Sequence, residues 1–267
     1  MSKRLDKIFQ NNPKKTKLIS FLVGCDPNPV ASLEILKEIS KYSSCVEIGY
    51  PTSEASAEGP IIKRAHDRVL DQKIGLPKII QLAKDLRSSN KEVGICLMGY
   101  AANLYMYSIP NFAKDIADVV DAVLVVDLPH EVREEKELRN ELGKNGISLI
   151  KLIAPTTDDK RMKEITNLSS GFLYSVNVRG ITGVKKADLG EVTNMMTRIK
   201  KFTKTPICCG FGIKTPEDAR IMTKSGCQGI VIGSTLVEAI EKNLKADKHN
   251  IAKKIGEICR KFSEVLN

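Results

Sequence analysis

The sequence predicts a (β/α)8 barrel, and three observations carry that prediction. The chain has 267 residues, the size of one such barrel. Eight short apolar runs rich in β-branched residues recur, mostly at intervals of roughly 25–30 residues, each followed by a helical pattern. Those runs are near-continuously apolar rather than alternating, as expected of parallel strands covered by helices on the outside.

The elements follow in order. RLDKIFQ reads as a short extra N-terminal helix ahead of the first strand. The strands are expected at residues 18–24 (LISFLVG), 45–50 (CVEIGY), 93–99 (VGICLMG), 122–128 (AVLVVDL), 148–154 (SLIKLIA), 171–178 (GFLYSVNV), 206–212 (PICCGFG) and 228–234 (QGIVIGS). Between them, PVASLEILKEISKY sets Leu33, Ile35, Leu36 and Ile39 on one helical stripe. TPEDARIMTKSG opens with Thr215 as an N-cap, Pro216 at the first helical position and acids in the first turn. IAKKIGEICRKFSEVL closes the chain as a helix. An open doubly wound sheet is the competing arrangement, but eight units in one unbroken series favour closure. No Pro/Gly/Ser-rich linker interrupts the chain, so residues 1–267 are expected to form a single domain.

Composition narrows the function classes. At 42% hydrophobic and 28% charged, the chain can bury a large core and stay soluble. Its lysine-rich start has no apolar core of a secretory signal, and no run is long enough to span a bilayer. A cytoplasmic protein with no membrane partner is expected. Seven cysteines without CxxC spacing, mostly in strand-like contexts, read as reduced core residues, and three histidines give no metal-site pattern. The formal charge of +10 is spread along the chain without interleaved aromatics. That argues against nucleic acid and for solvated helix faces with some attraction for anionic substrates.

In a barrel of this kind the chemistry sits where strands give way to loops at their C-terminal ends. Gly210-Phe211-Gly212 after the seventh strand and Gly233-Ser234 after the eighth form the pair of loops that most often holds phosphate, because glycine lets backbone N–H groups approach an anion. Glu47 lies between Val46 and Ile48 in the second strand and so points the opposite way, into the barrel. Burial there costs several kcal/mol unless the carboxylate is partnered or neutralised, and it raises the pKa toward that of a general acid/base. Glu58 begins the turn before IIKRAHDRVL, where it serves equally well as a helix-start acid or a catalytic one. Tyr174 precedes a loop bracketed by Gly180 and Gly183, which reads either as a mobile lid or as an ordinary connection.

Taken together, EIGYPTSEASAEGP, LMGY (97–100), VVDLP (125–129), IAPTT (153–157), RGITG (179–183), GFGI (210–213) and IGS (232–234) resemble the α subunit of tryptophan synthase, in register along the whole chain. The resemblance implies cofactor-free retro-aldol cleavage of indole-3-glycerol phosphate to indole and glyceraldehyde 3-phosphate. It makes Glu47 the acid/base and sets Glu58 where the family uses an aspartate to bind the indole N–H. Thr182 would orient Glu58, and Phe21, Tyr100 and Tyr174 would line the indole slot. Backbone at Gly183, Gly210, Phe211, Gly212, Gly233 and Ser234 would hold the phosphate. The partner implied is a pyridoxal-phosphate-dependent β subunit in an αββα tetramer. Two departures stand out. The strand-2 loop reads Ser-Glu-Ala-Ser-Ala-Glu-Gly-Pro where the family has Ser-Asp-Pro-x-x-Asp-Gly-Pro, and Ala102-Asn103 replaces a common Asn-Pro pair. They leave open a catalytically impaired subunit that binds a phosphorylated ligand and activates its partner. A third reading is a Schiff-base aldolase using Lys151 of the fifth strand.

Overall fold

A computed structural model describes residues 2–176, 188–210 and 212–266. The eight expected strands are all present: β1 Lys17–Val23, β2 Cys45–Gly49, β3 Gly94–Gly99, β4 Ala122–Val125, β5 Ser148–Ile153, β6 Leu173–Val176, β7 Ile207–Gly210 and β8 Gly229–Ile232. Each pairs in parallel with its sequence neighbours, and β8 returns to β1, closing the barrel. The helices are α1 Lys3–Gln10, α2 Pro29–Ile39, α3 Pro60–Leu70, α4 Leu76–Ser89, α5 Ala101–Tyr107 and α6 Ile109–Asp115, followed by α7 Arg133–Lys144, α8 Asp159–Leu168, α9 Leu189–Ile199, α10 Pro216–Thr223, α11 Ser234–Glu241 and α12 Lys248–Val265. Thr215 caps α10 in a full capping box with Asp218.

The strands divide their side chains between barrel interior and helix layer. On β2, Ile48 faces outward: a Cβ at Gly24 would lie 2.7 Å from Ile48 Cγ2 and 2.9 Å from Ile79 Cδ1 of α4. On β1, Ser20 faces outward to Ser43 and to Cys259 of α12. Alternation therefore turns Phe21 and Glu47 inward.

The extra helix α1 closes the barrel at the N-terminal ends of the strands. Ser2 caps it, Leu5 packs over Gly94 of β3, and the Phe9 ring meets Phe172 at 5.8 Å between centroids. Beside them the buried Asp121 accepts from Ser2 Oγ (2.8 Å), Arg4 Nη1 (2.5 Å), Arg87 Nη2 (2.7 Å) and the Ile95 N–H (2.9 Å). A carboxylate so completely partnered is tolerated in a core and fixes helix, strand and loop in one register. With that end sealed, access to the interior is left to the opposite mouth.

Lys151 belongs to the outer layer as well. Its Nζ lies 2.5 Å from Oε1 of Glu135, a fully buried residue of α7, so it faces the helices and not the barrel interior.

Candidate active site

Glu47 sits mid-barrel on β2, in register with Phe21 of β1 and Cys96 of β3. It is fully buried. Its Oε1 lies 3.9 Å from the Cys96 thiol, a weak donor, and its Oε2 has no hydrogen-bond partner among the described residues. Burial, reinforced by the charge of nearby Glu58 and only slightly opposed by the Cys96 thiol, pushes the Glu47 carboxyl up to about 8. At neutral pH this side chain holds a proton it can give away.

Glu58 is brought to the same space by the loop after β2. Gly59 and Pro60 turn the chain into α3, and the carboxylate folds back against that helix. Its Oε2 lies 2.6 Å from Nε2 of His66, and Nδ1 of His66 accepts the Thr52 N–H at 3.3 Å. Both side chains are buried. Tyr100, at the end of β3, grips the same loop: its hydroxyl accepts the Ala57 N–H at 3.3 Å, while its carbonyl accepts from the Tyr50 hydroxyl at 3.3 Å. Burial and the Glu58 charge push the Tyr100 phenol upward, and burial with the Glu47 charge does the same to Tyr174.

Two of the expected phosphate glycines are also packing sites. A Cβ at Gly210 would fall 2.6 Å from the Tyr174 hydroxyl, and one at Gly233 would fall 3.1 Å from Phe21. Tyr174 thus leaves no room for a side chain at Gly210, and Phe21 packs tightly over Gly233. Gly212 has φ +52°, a left-handed conformation that favours glycine. Gly233 is the N-cap residue of α11, whose first N–H groups, from Ser234 on, have no intrahelical acceptor by the geometry of any helix start. Thr182, Gly183 and Phe211 lie outside the described residues.

A charged strut sets the two sides of the mouth against each other. Arg68 of α3 makes a bidentate pair with the buried Asp26 in the β1–α2 loop, both bonds 2.8 Å, and reaches Glu241 at the end of α11 at 2.8 Å. Arg64 adds two more bonds to Glu241, holding that carboxyl down at about 2. The helix behind Glu58 and the helix whose N-terminus follows Gly233 are thereby tied together. A cavity of about 280 Å³ lies at the other end of the barrel, among Arg4, Lys7, Lys17 and Asn90, remote from Glu47.

Sequence reasoning brought Glu47, Glu58, Phe21, Tyr100, Tyr174, Gly210 and Gly233 to one region, and the structure gathers them there. It missed His66 and Cys96. His66 had only a partial signal: it falls on the buried stripe Ile62, Ala65, Val69 of α3, but that stripe does not point to Glu58. Cys96 had none, since its nearness to Glu47 is a matter of strand register.

Fold and site together define a closed (β/α)8 barrel with a fully buried carboxyl, Glu47, turned into its interior and a second, Glu58, nearby. Residues 9–267 match the family model for the tryptophan synthase alpha chain, and the protein belongs to that family. The tryptophan synthase subunit alpha of Legionella pneumophila is 28% identical, with a TM-score of 0.88 over 100% of this chain and 98% of that one. A tryptophan synthase alpha-subunit variant of Pyrococcus furiosus is 30% identical, with a TM-score of 0.82 over 93% and 98%. Tryptophan synthase of Mycobacterium tuberculosis, at 20% identity and a TM-score of 0.87, shares the fold over 100% and 99%.

Proposed function

We infer that the chain catalyses the retro-aldol cleavage of indole-3-glycerol phosphate to indole and glyceraldehyde 3-phosphate, the α reaction of L-tryptophan biosynthesis. The observation that carries this reading is Glu47: a fully buried carboxyl, protonated up to about pH 8, within the field of a second carboxylate. In the first step the Glu47 carboxyl gives its proton to indole C3, and the ring becomes an indolenium ion. Glu58 accepts a hydrogen bond from the ring N–H and stabilises the positive charge there. In the second, the Glu47 carboxylate takes the proton of the adjoining side-chain hydroxyl. The C–C bond then breaks, its electron pair returns to the indole ring, and the hydroxyl carbon leaves as the aldehyde. Glu47 ends as it began, protonated, and no redox partner or cofactor enters the balance.

Phe21, Tyr100 and Tyr174 supply the apolar slot for the indole, and Thr182 is proposed to orient Glu58. Gly183, Gly210, Phe211, Gly212, Gly233 and Ser234 are proposed to hold the phosphate, supported by the N–H groups at the start of α11 that lack an intrahelical acceptor and by the left-handed Gly212. The Lys151 alternative loses its basis, because that lysine is paired with Glu135 outside the barrel. A purely regulatory role leaves the cost of burying Glu47 without a purpose.

The partner is the pyridoxal-phosphate-dependent β subunit, in an αββα tetramer, and the pyridoxal chemistry belongs to that subunit. Helix α5, at the altered loop after β3, exposes Met106 (90%) and Tyr105 (50%), apolar area suited to a protein contact. No helix among the described residues is long and apolar enough to cross a membrane, and a cytoplasmic location is proposed to go with the biosynthetic role. Steady-state cleavage of indole-3-glycerol phosphate by the purified chain with its β subunit tests the reading. Turnover that disappears in Glu47→Gln supports it, and a wild-type chain with no turnover refutes it.

A further inference from the structure

We propose that His66 is a positioning residue for the cleavage, holding Glu58 by one oxygen so that the other is presented to the ring N–H of the substrate. The proposal rests on the reading above, in which Glu58 takes that N–H.

A glutamate at this position has one methylene more than an aspartate, roughly 1.5 Å of extra reach. It also has one more rotatable bond, whose freedom must be removed before the carboxylate is useful. A misplacement of about 1 Å in such a group can lower the rate by about a hundredfold. Some part of the protein must therefore pin the longer side chain.

His66 is built to do so. Its ring is buried on the core stripe of α3 with Ile62, Ala65 and Val69, which fixes its rotamer. A backbone N–H can only donate, so the Thr52 N–H at 3.3 Å makes Nδ1 the acceptor and assigns the ring proton to Nε2. That Nε2–H points at Glu58 Oε2 over 2.6 Å, a short bond of the charge-assisted kind. The charged pair near His66, Asp26 with Arg68, is engaged in its own bidentate contact. On the far side of Glu58, the Tyr100 hydroxyl fixes Ala57 in the same loop. Glu58 is thus held from α3 through Oε2 and its loop from Tyr100, and among the described residues Oε1 makes no hydrogen bond.

The experiment compares wild type, His66→Ala, His66→Gln, Glu58→Gln and the double variant His66→Ala/Glu58→Gln, each assembled with the β subunit. The readouts are kcat and KM for indole-3-glycerol phosphate. His66→Ala is expected to lower kcat by about 10–100-fold with KM changed less than about threefold, because the phosphate contacts are untouched. His66→Gln, whose amide can donate from near the Nε2 position, is expected to recover most of the loss. In the Glu58→Gln background the histidine change should add less than about threefold, since the group it positions is already disabled. An ordinary kcat in His66→Ala, or an equal loss with and without Glu58, overturns the proposal. Should His66→Ala not fold, His66→Phe keeps the ring volume in the core and carries the same comparison. If wild type turns over but the histidine variants are ordinary, only this proposal fails; if wild type does not turn over, the functional reading fails with it.

Discussion

The hydroxyl of Tyr174 lies over Gly210 so closely that a Cβ there would come within 2.6 Å of it. The neighbouring strand register, Tyr174 on β6 beside Cys208 and Val176 beside Gly210 on β7, fixes the two backbones, so the side chain must yield. Gly210→Ala is expected to swing Tyr174 out of the proposed indole slot, raising KM for indole-3-glycerol phosphate at least several-fold. Overpacking of this kind costs about 1–3 kcal/mol, visible as a lower melting temperature. A crystal structure of the variant with the tyrosine unmoved would refute the assignment of its role.

Glu47→Gln replaces the proposed proton carrier by a neutral isostere. Cleavage should fall by about 10²–10⁴-fold or more, the range of a lost general acid/base. Stability should move the other way. The folded carboxyl titrates at about 8 and the unfolded one near 4.3, so between those values the folded state alone holds the proton. Wild-type stability therefore falls as pH rises through that window, with a slope of at most about 1.4 kcal/mol per unit, and levels off above it. Glu47→Gln lacks this loss, so its advantage over wild type should grow from pH 5 to 8. Thermal unfolding of both proteins across that range checks the sign.

The charge of Glu58 helps to hold the Glu47 carboxyl up, whereas the Cys96 thiol pulls it down. If cleavage begins with protonated Glu47, kcat/KM of wild type should decline above about pH 8. In Glu58→Gln that limb should move to lower pH, and in Cys96→Ala to higher pH. The other titratable groups that feel the Glu47 charge among the described residues, Tyr174, Cys45 and Cys208, are pushed upward by burial and stay neutral over this range. A limb that stays in place in both variants would show that another group sets it.

Lys151 is lowered by burial yet neutralises Glu135, which is fully buried. Lys151→Met leaves that carboxylate without its closest partner and should destabilise the fold by about 3–5 kcal/mol. Borohydride in the presence of substrate should trap no adduct on wild type, because Nζ does not reach the barrel interior. An adduct at Lys151 found by mass spectrometry would restore the Schiff-base mechanism.

Met106→Asp should weaken assembly with the β subunit while leaving the barrel intact, since the side chain is nearly all in solvent. Size-exclusion chromatography of the mixed subunits measures this directly. Undiminished assembly would remove α5 from the interface.

The eight strands were legible because their apolar, β-branched runs are a local property, and all eight formed where expected, with ends differing by a few residues. Glu47 was legible for a similar reason: strand alternation alone turns it opposite Val46 and Ile48. Glu58 was not settled by its neighbours, which fit a helix-start acid as well as a catalytic one. Its partner stands eight positions away, across a turn that only the folded chain closes.

From the sequence alone came the barrel, the inward carboxylate, the glycine-bearing strand ends and the family. Side-chain period and composition suffice for these, because each is set by a few consecutive residues. Only the tertiary structure decided that Cys96 lies beside Glu47, that His66 takes hold of Glu58, that Tyr174 leaves no room for a side chain at Gly210, and that Lys151 faces outward to Glu135. Those relations depend on strand register and helix placement, which long-range packing fixes and no local pattern encodes.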